Sequence, residues 1–302
     1  MSERRLALAA IISCTLFWGF SFISIKIAVA VFPPMSLGLI RFAVSLVFLY
    51  FIKLRLAPDE KLRPRDLPLL LGAGFSGVTL YFFCENNGVA MVTASEASIA
   101  IGAVPVLTMT AEWLGAKLAR QPASIRGSQW LGALVSIAGV WLVAGVSLAL
   151  SGSIAGYMFM AGAALCWVAY SFLTRPLFSR CSRIYIVYWQ SVFGFIGFVP
   201  FSVFEFSRWG RPGLAVVLHI AFLGIGCSAL GYWFYVRGLE TLGMGVTAVF
   251  INLIPVVTVI GGFFILGDRL APLQWLGAGL VISGVYLATR ERRPPPSTSG
   301  TK

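Results

Sequence analysis

Charge is what this sequence has least of. Of 302 residues only 11% are Asp, Glu, Lys or Arg, where a soluble domain carries roughly 25%. Histidine occurs once, at His219, so an imidazole cluster for a metal is excluded. The five cysteines (Cys14, Cys84, Cys166, Cys181, Cys227) lack zinc-ligand or disulfide-framework spacing and read as small apolar packing residues. A phosphate-cradling GxxxxGKS/T loop is missing, as are HExxH and GxSxG. No polar stretch is long enough to hold a soluble catalytic domain. ATP hydrolysis and the common hydrolase chemistries are therefore excluded within this chain, and neither a cofactor nor a metal is expected.

Apolar residues are plentiful: 58% of the chain, with a mean hydropathy of +0.88. They form continuous runs of ~20 residues, the length that crosses a bilayer as helix. Alternation, the mark of a membrane barrel strand, is absent. The runs place ten helical spans at 6–28, 35–56, 67–91, 94–115, 128–148, 154–174, 184–206, 213–236, 243–266 and 272–289. Prolines at 33–34, 58, 122, 212 and 272 punctuate the loops, where a missing N–H is tolerated. The first run carries Arg4 and Arg5 before it and contains Trp18 and Lys26. It is too long for a signal-peptide core and reads as an uncleaved span. The tail after Arg293, PPPSTSGTK, is expected to be disordered.

Net charge is +12, which could suggest nucleic acid. The placement of the charges answers that, because eighteen of the 23 basic residues fall on one side of the ten-span arrangement. Lys26, Arg208, Arg211 and Arg269 fall on the other side, and Arg41 lies within a span. Positive loops face the cytoplasm. The expectation is a plasma (cytoplasmic) membrane protein with both termini cytoplasmic and no nucleic-acid partner.

The halves repeat. QWLGALVSIAGVWL at 129–142 matches QWLGAGLVISGVYL at 274–287. Upstream, Pro105 falls opposite Pro255, Gly88 opposite Gly238, Trp18 opposite Trp167, Lys26 opposite Arg175 and Arg41 opposite Gln190. Five spans per half is an odd number, so the second copy enters the membrane from the opposite side, as in many secondary transporters. The expected fold is an all-α polytopic membrane protein: ten transmembrane helices as two inverted five-helix repeats, 6–148 and 154–289, then a tail at 290–302.

WGFSFISIK (18–26), RF (41–42), ENNGVAMVTASEASI with its following proline (85–105), and the 255–287 ending resemble the drug/metabolite transporter superfamily, in its EamA-like branch. The resemblance implies secondary transport, by export or uptake, of small metabolites such as amino acids. The family often has Gly-Glu after the fourth span of each half. Here the second half has Gly267-Asp268 and the first Ala116-Lys117, with Glu112 earlier.

Candidate site residues are those that cost most in hydrocarbon. Glu85 is a proton- or amine-binding carboxylate, or else a structural partner of Lys26 or Arg41. Asn86 and Asn87 offer amides to a polar ligand, or cross-link helices. Arg41, about two turns into its span, suits a substrate carboxylate or a structural pair with Glu85. Lys26 contacts substrate or snorkels. Glu112 is a second proton-coupling candidate or a gate contact, and Glu96 and Asp268 read as turn residues. Trp18 and Phe22 share a helical face, and Tyr81, Trp167, Tyr170, Tyr232, Trp233 and Tyr235 are possible walls of the same cavity. Pro105 and Pro255 are expected hinges. Small residues at Gly132, Ser136, Gly139, Gly277, Gly279 and Ser283 permit close helix packing or a homodimer contact. The alternatives are a nucleotide-sugar-type exchanger of the same superfamily and, with nothing visible to support it, a membrane-embedded enzyme.

Overall fold

The computed structural model describes residues 2–92, 94–120, 125–143, 153–266 and 271–289. The expected disordered tail (290–302), the turn residue Thr93, and Asp268 lie outside the described residues. All regular structure among the described residues is helical. The helices are α1 (Glu3–Val29), α2 (Pro34–Leu56), α3 (Leu67–Gly74), α4 (Tyr81–Met91), α5 (Ala94–Ile101), α6 (Val104–Leu118) and α7 (Gly127–Val143). They continue as α8 (Ile154–Thr174), α9 (Arg183–Glu205), α10 (Leu214–Ala221), α11 (Gly231–Leu242), α12 (Met244–Phe250), α13 (Leu253–Leu266) and α14 (Pro272–Thr289). Ser2, Ser153 and Ser182 start α1, α8 and α9 by accepting a backbone N–H into the side chain. Gly243, at φ +83°, makes the left-handed turn between α11 and α12 that a side chain would resist.

Among the described residues, eight stretches are long and apolar enough to cross a membrane. The two expected spans outside that set fall on α7, of which 17 residues are described, and on the α5–α6 pair. The outer surface is apolar, with Phe51, Trp141, Phe204, Leu214 and Tyr286 exposed, while Arg41, Glu85, Asn86, Gln190 and Asn252 are buried. That inversion of the soluble pattern is what a lipid environment requires.

Two departures from uniform α-helix matter. α3 runs into α4 through a π-helical segment, Phe75–Leu80, and α10 runs into α11 through another, Phe222–Leu230. The string LGxGxS stands at both, as 71–76 and 223–228. The expected proline kinks are complete breaks: residues 102–103 separate α5 from α6, and 251–252 separate α12 from α13. Pro105 and Pro255 sit at the starts of the following helices, where a missing N–H costs nothing.

Helices from before residue 143 pack mainly on helices from after residue 153: α1 on α11 and α13, α2 on α9, α4 on α8, and α7 on α14. The α7–α14 contact uses the small residues. A methyl group on Gly284 would lie 2.5 Å from the Gly132 carbonyl, and one on Gly139 would lie 2.6 Å from the Val281 nitrogen. Gly132, Ser136, Gly139 and Gly277 are thus spent within the chain, whereas Gly279 and Ser283 face outward.

Candidate functional site

The π-helical segments place unspent backbone groups at the centre of the molecule. A π turn shifts the hydrogen-bond register and leaves carbonyls available to side chains. Tyr232 Oη donates to Gly77 O at 2.6 Å and Trp18 Nε1 donates to Cys227 O at 3.0 Å. Each segment is therefore held by an aromatic side chain from the other end of the chain. Around them gathers a cluster of rings. Trp167 contacts Trp18 and Tyr81, both at 5.0 Å between centroids, and Tyr232 at 5.5 Å.

These rings wall a small cavity lined by Trp18, Ser21, Phe22, Arg41, Tyr81, Phe82, Glu85, Ile101, Trp167, Tyr232 and Ile254. About 20 Å³ is open to the centre of a water molecule, room for about one water. A small organic solute needs far more space than that.

Two opposite charges face this cavity. Arg41 is 2% exposed; its Nε donates to Ser228 Oγ at 2.9 Å, and its guanidinium lies 4.2 Å from the centre of the Phe82 ring. Arg41 Nη1 has no hydrogen-bond partner. Glu85 is 4% exposed and accepts from Tyr81 Oη at 2.7 Å. No ion pair within 4.0 Å joins the two among the described residues. A buried charge left short of partners is costly, which makes Arg41 and Glu85 candidates for binding.

Of the sequence candidates, Trp18, Phe22, Arg41, Tyr81, Glu85, Trp167 and Tyr232 come together here. Tyr170 and Tyr235 pack behind the wall: Tyr235 Oη accepts from Trp167 Nε1 at 2.9 Å, and Tyr170 lies 5.0 Å from Trp167. The remainder do not line the cavity. Lys26 Nζ donates to Val89 O and Val92 O at 2.8 and 2.9 Å, so it caps the C-terminal end of α4 and is not the partner of Glu85. Asn86 Nδ2 donates to Pro34 O and Asn87 Nδ2 to Phe83 O, the first a link between helices and the second a bond within its own. Trp233 stacks on Phe234. Glu112 pairs with Arg175 at 3.4 Å, away from the cavity.

Sequence reasoning missed Ser21, Phe82, Ile101, Ser228 and Ile254. Ser21 stands one turn after Trp18, which was signal enough. Ser228 belongs to the repeated LGxGxS string, and Ile101 and Ile254 flank the two helix breaks. Phe82 gave no signal that separates it from its aromatic neighbours.

A profile of the EamA-like transporter family matches residues 5–145 and again 154–290. The chain belongs to the EamA-like transporter family. It is an integral membrane transporter and not an enzyme. Its relatives include an uncharacterized transporter of Archaeoglobus fulgidus, 29% identical over 279 residues, covering 91% of this chain and 96% of that one. A protein of Streptantibioticus cattleyicolor named "probable terminal-alkyne amino-acid exporter" is 25% identical over 301 residues and 98% of both chains. One of Escherichia coli named "probable amino-acid metabolite efflux pump" is 25% identical, covering 89% of this chain and 90% of the relative. A solved crystal structure superposes with a TM-score of 0.73 over 95% of this chain and 97% of its own, at 20% identity. That likeness concerns the fold alone.

Proposed function

We propose that this transporter is a secondary carrier that exports zwitterionic metabolites such as amino acids, by alternating access between two inverted halves, 6–148 and 154–289. The observation that carries the reading is the pair Arg41 and Glu85: opposite charges bordering one aromatic cavity without pairing to each other. A guanidinium with an unused donor suits a carboxylate, and a carboxylate suits an ammonium. Trp18, Tyr81, Trp167 and Tyr232 supply apolar walls for the solute's remainder. Glu85 also couples transport to protons, since the same carboxylate can hold either a proton or the amine.

Matched π-helical segments and matched helix breaks support the inverted halves, as does the odd span count per half. The one-sided basic loops support cytoplasmic termini in the plasma membrane. The exporter names of the two relatives favour export. A nucleotide-sugar exchanger is less well served, because Lys26 is committed to carbonyls and, among the described residues, Arg41 is the one basic side chain lining the cavity. The outward-facing Gly279 and Ser283 of α14 are the proposed homodimer contact.

Counterflow tests this. Proteoliposomes loaded with unlabelled solute and diluted into trace labelled solute are expected to accumulate label for at least one amino acid, and Arg41→Gln abolishes it. Exchange confined to sugars or nucleotide sugars, or undiminished exchange in Arg41→Gln, overturns the reading.

A further inference from the structure

α2 and α9 run antiparallel, joined along their length by Phe42 against Phe198 (5.8 Å) and Tyr50 against Tyr188 (6.4 Å). At one end Glu205, the last residue of α9, holds the start of α2. Its Oε2 accepts from both the backbone nitrogen and Oγ of Ser36 at 2.8 Å. Trp209 Nε1 adds a bond to Ser36 Oγ at 2.7 Å, and Gly210 N one to Val31 O at 2.8 Å. At the other end Glu60, just past α2, holds the start of α9. Its Oε2 accepts from Ser182 Oγ at 2.8 Å and from Ser182 N at 3.4 Å. Asp66 with Arg180 (2.7 Å), and Arg63 Nη1 with Arg180 O (3.2 Å), join the same two loops.

The arrangement is reciprocal. Each carboxylate lies at or just beyond the C-terminal end of one helix and grips a serine at the N-terminus of the other, where free N–H groups and the helix dipole favour negative charge. The two grips lie at opposite ends of one helix pair. α2 also carries Arg41, and the cavity Arg41 borders is too small for a solute until its walls part.

We propose that Glu205–Ser36 and Glu60–Ser182 are alternating clasps, each holding shut the face on which it lies and breaking when that face opens. The proposal rests on the alternating-access reading above. With their middles packed ring on ring, α2 and α9 can splay at one end while the other stays clasped. Opening both ends together would break both sets of charge-assisted bonds at once. The ends are unequal in kind: when its own clasp is lost the Glu60 end keeps ionic contacts, Asp66–Arg180 and Arg63 to Arg180 O, whereas the Glu205 end keeps the neutral bonds Trp209–Ser36 and Gly210–Val31.

The test is sided access to the cavity. Ser21→Cys, in a chain whose five native cysteines are replaced by alanine, is labelled with a membrane-impermeant maleimide in vesicles of either orientation. Labelling from both faces is expected. Glu205→Ala raises the ratio of labelling from its own face to the other by about tenfold, the weight of a charge-assisted hydrogen bond. Glu60→Ala moves the ratio the opposite way by about threefold, less because its ionic neighbours remain. Ser36→Ala and Ser182→Ala shift it in the same directions as their partners and serve where a glutamate variant fails to fold. A ratio unmoved by all four, or moved the same way by both clasps, overturns the proposal. Labelling from one face only, or from neither, overturns alternating access itself and the clasps with it.

Discussion

Trp18 and Trp167 meet edge to face, their ring centroids 5.0 Å apart and their planes at 90°. They hold matched positions in the two sequence halves, so the repeat meets itself at the wall of the cavity. The charges beside them are unmatched. Arg41 and Glu85 both come from the first half. The counterpart of Arg41 is Gln190, which donates to Thr174 at 2.8 Å, and that of Glu85 is Tyr235. A near-symmetric frame thus carries a one-sided pair of charged side chains, which on the proposed reading orients an asymmetric solute.

Glu85→Gln is expected to retain the Tyr81 bond and lose proton coupling. In proteoliposomes an imposed pH gradient drives labelled solute through the unmodified chain and gives little stimulation in the variant. Flux still stimulated by protons in Glu85→Gln would remove this carboxylate from coupling.

Lys26→Met tests a structural role. Two charge-assisted bonds to the end of α4 disappear, at a cost of about 1.5–3 kcal/mol each. Thermal unfolding of the purified protein should move to lower temperature, while the stabilisation given by a transported solute persists. Loss of that ligand-induced shift with unfolding unchanged would place Lys26 in the site instead.

Gly284→Val forces a side chain against the Gly132 carbonyl, 2.5 Å from where its Cβ must stand. Overpacking of this kind costs about 1–3 kcal/mol, so the melting temperature falls. Gly279→Val, with nothing in its own chain within 4 Å of the added Cβ, leaves the melting temperature of the detergent-solubilised monomer unchanged. Equal effects at both positions would contradict the α7–α14 contact.

Cys181 lies in the loop before α9, where burial first, and then the negative charge of Asp66, pushes its thiol up to about 11 from an ordinary 9.0. Between roughly pH 9 and 11 an unfolded chain gives up this proton while the folded one keeps it, so the cysteine's contribution to stability falls as pH rises through that window. At pH 8 the folded thiol should alkylate at least about tenfold more slowly than an unperturbed one, as thiolate is the reactive form. Asp66→Asn should speed the reaction. Alkylation at the rate of a free thiol would refute the environment described.

The sequence by itself determined that this chain is a helical membrane protein, roughly where its spans lie, and that its two halves share one pattern. Hydrophobic run length and the price of charge in hydrocarbon are local properties, so the residues display them directly. It also singled out Arg41 and Glu85, because a charge within an apolar run is conspicuous wherever the run folds. Only the tertiary structure decided which polar groups are spent. Lys26, Asn86 and Asn87 looked as available as Arg41 until their carbonyl partners were in place, and those partners for Lys26 and Asn86 lie about 50 to 65 residues away. The clasps Glu60–Ser182 and Glu205–Ser36, 122 and 169 residues apart in sequence, were illegible for the same reason. A hydrogen bond depends on a few tenths of an ångström between distant segments, and no periodicity in the chain records that.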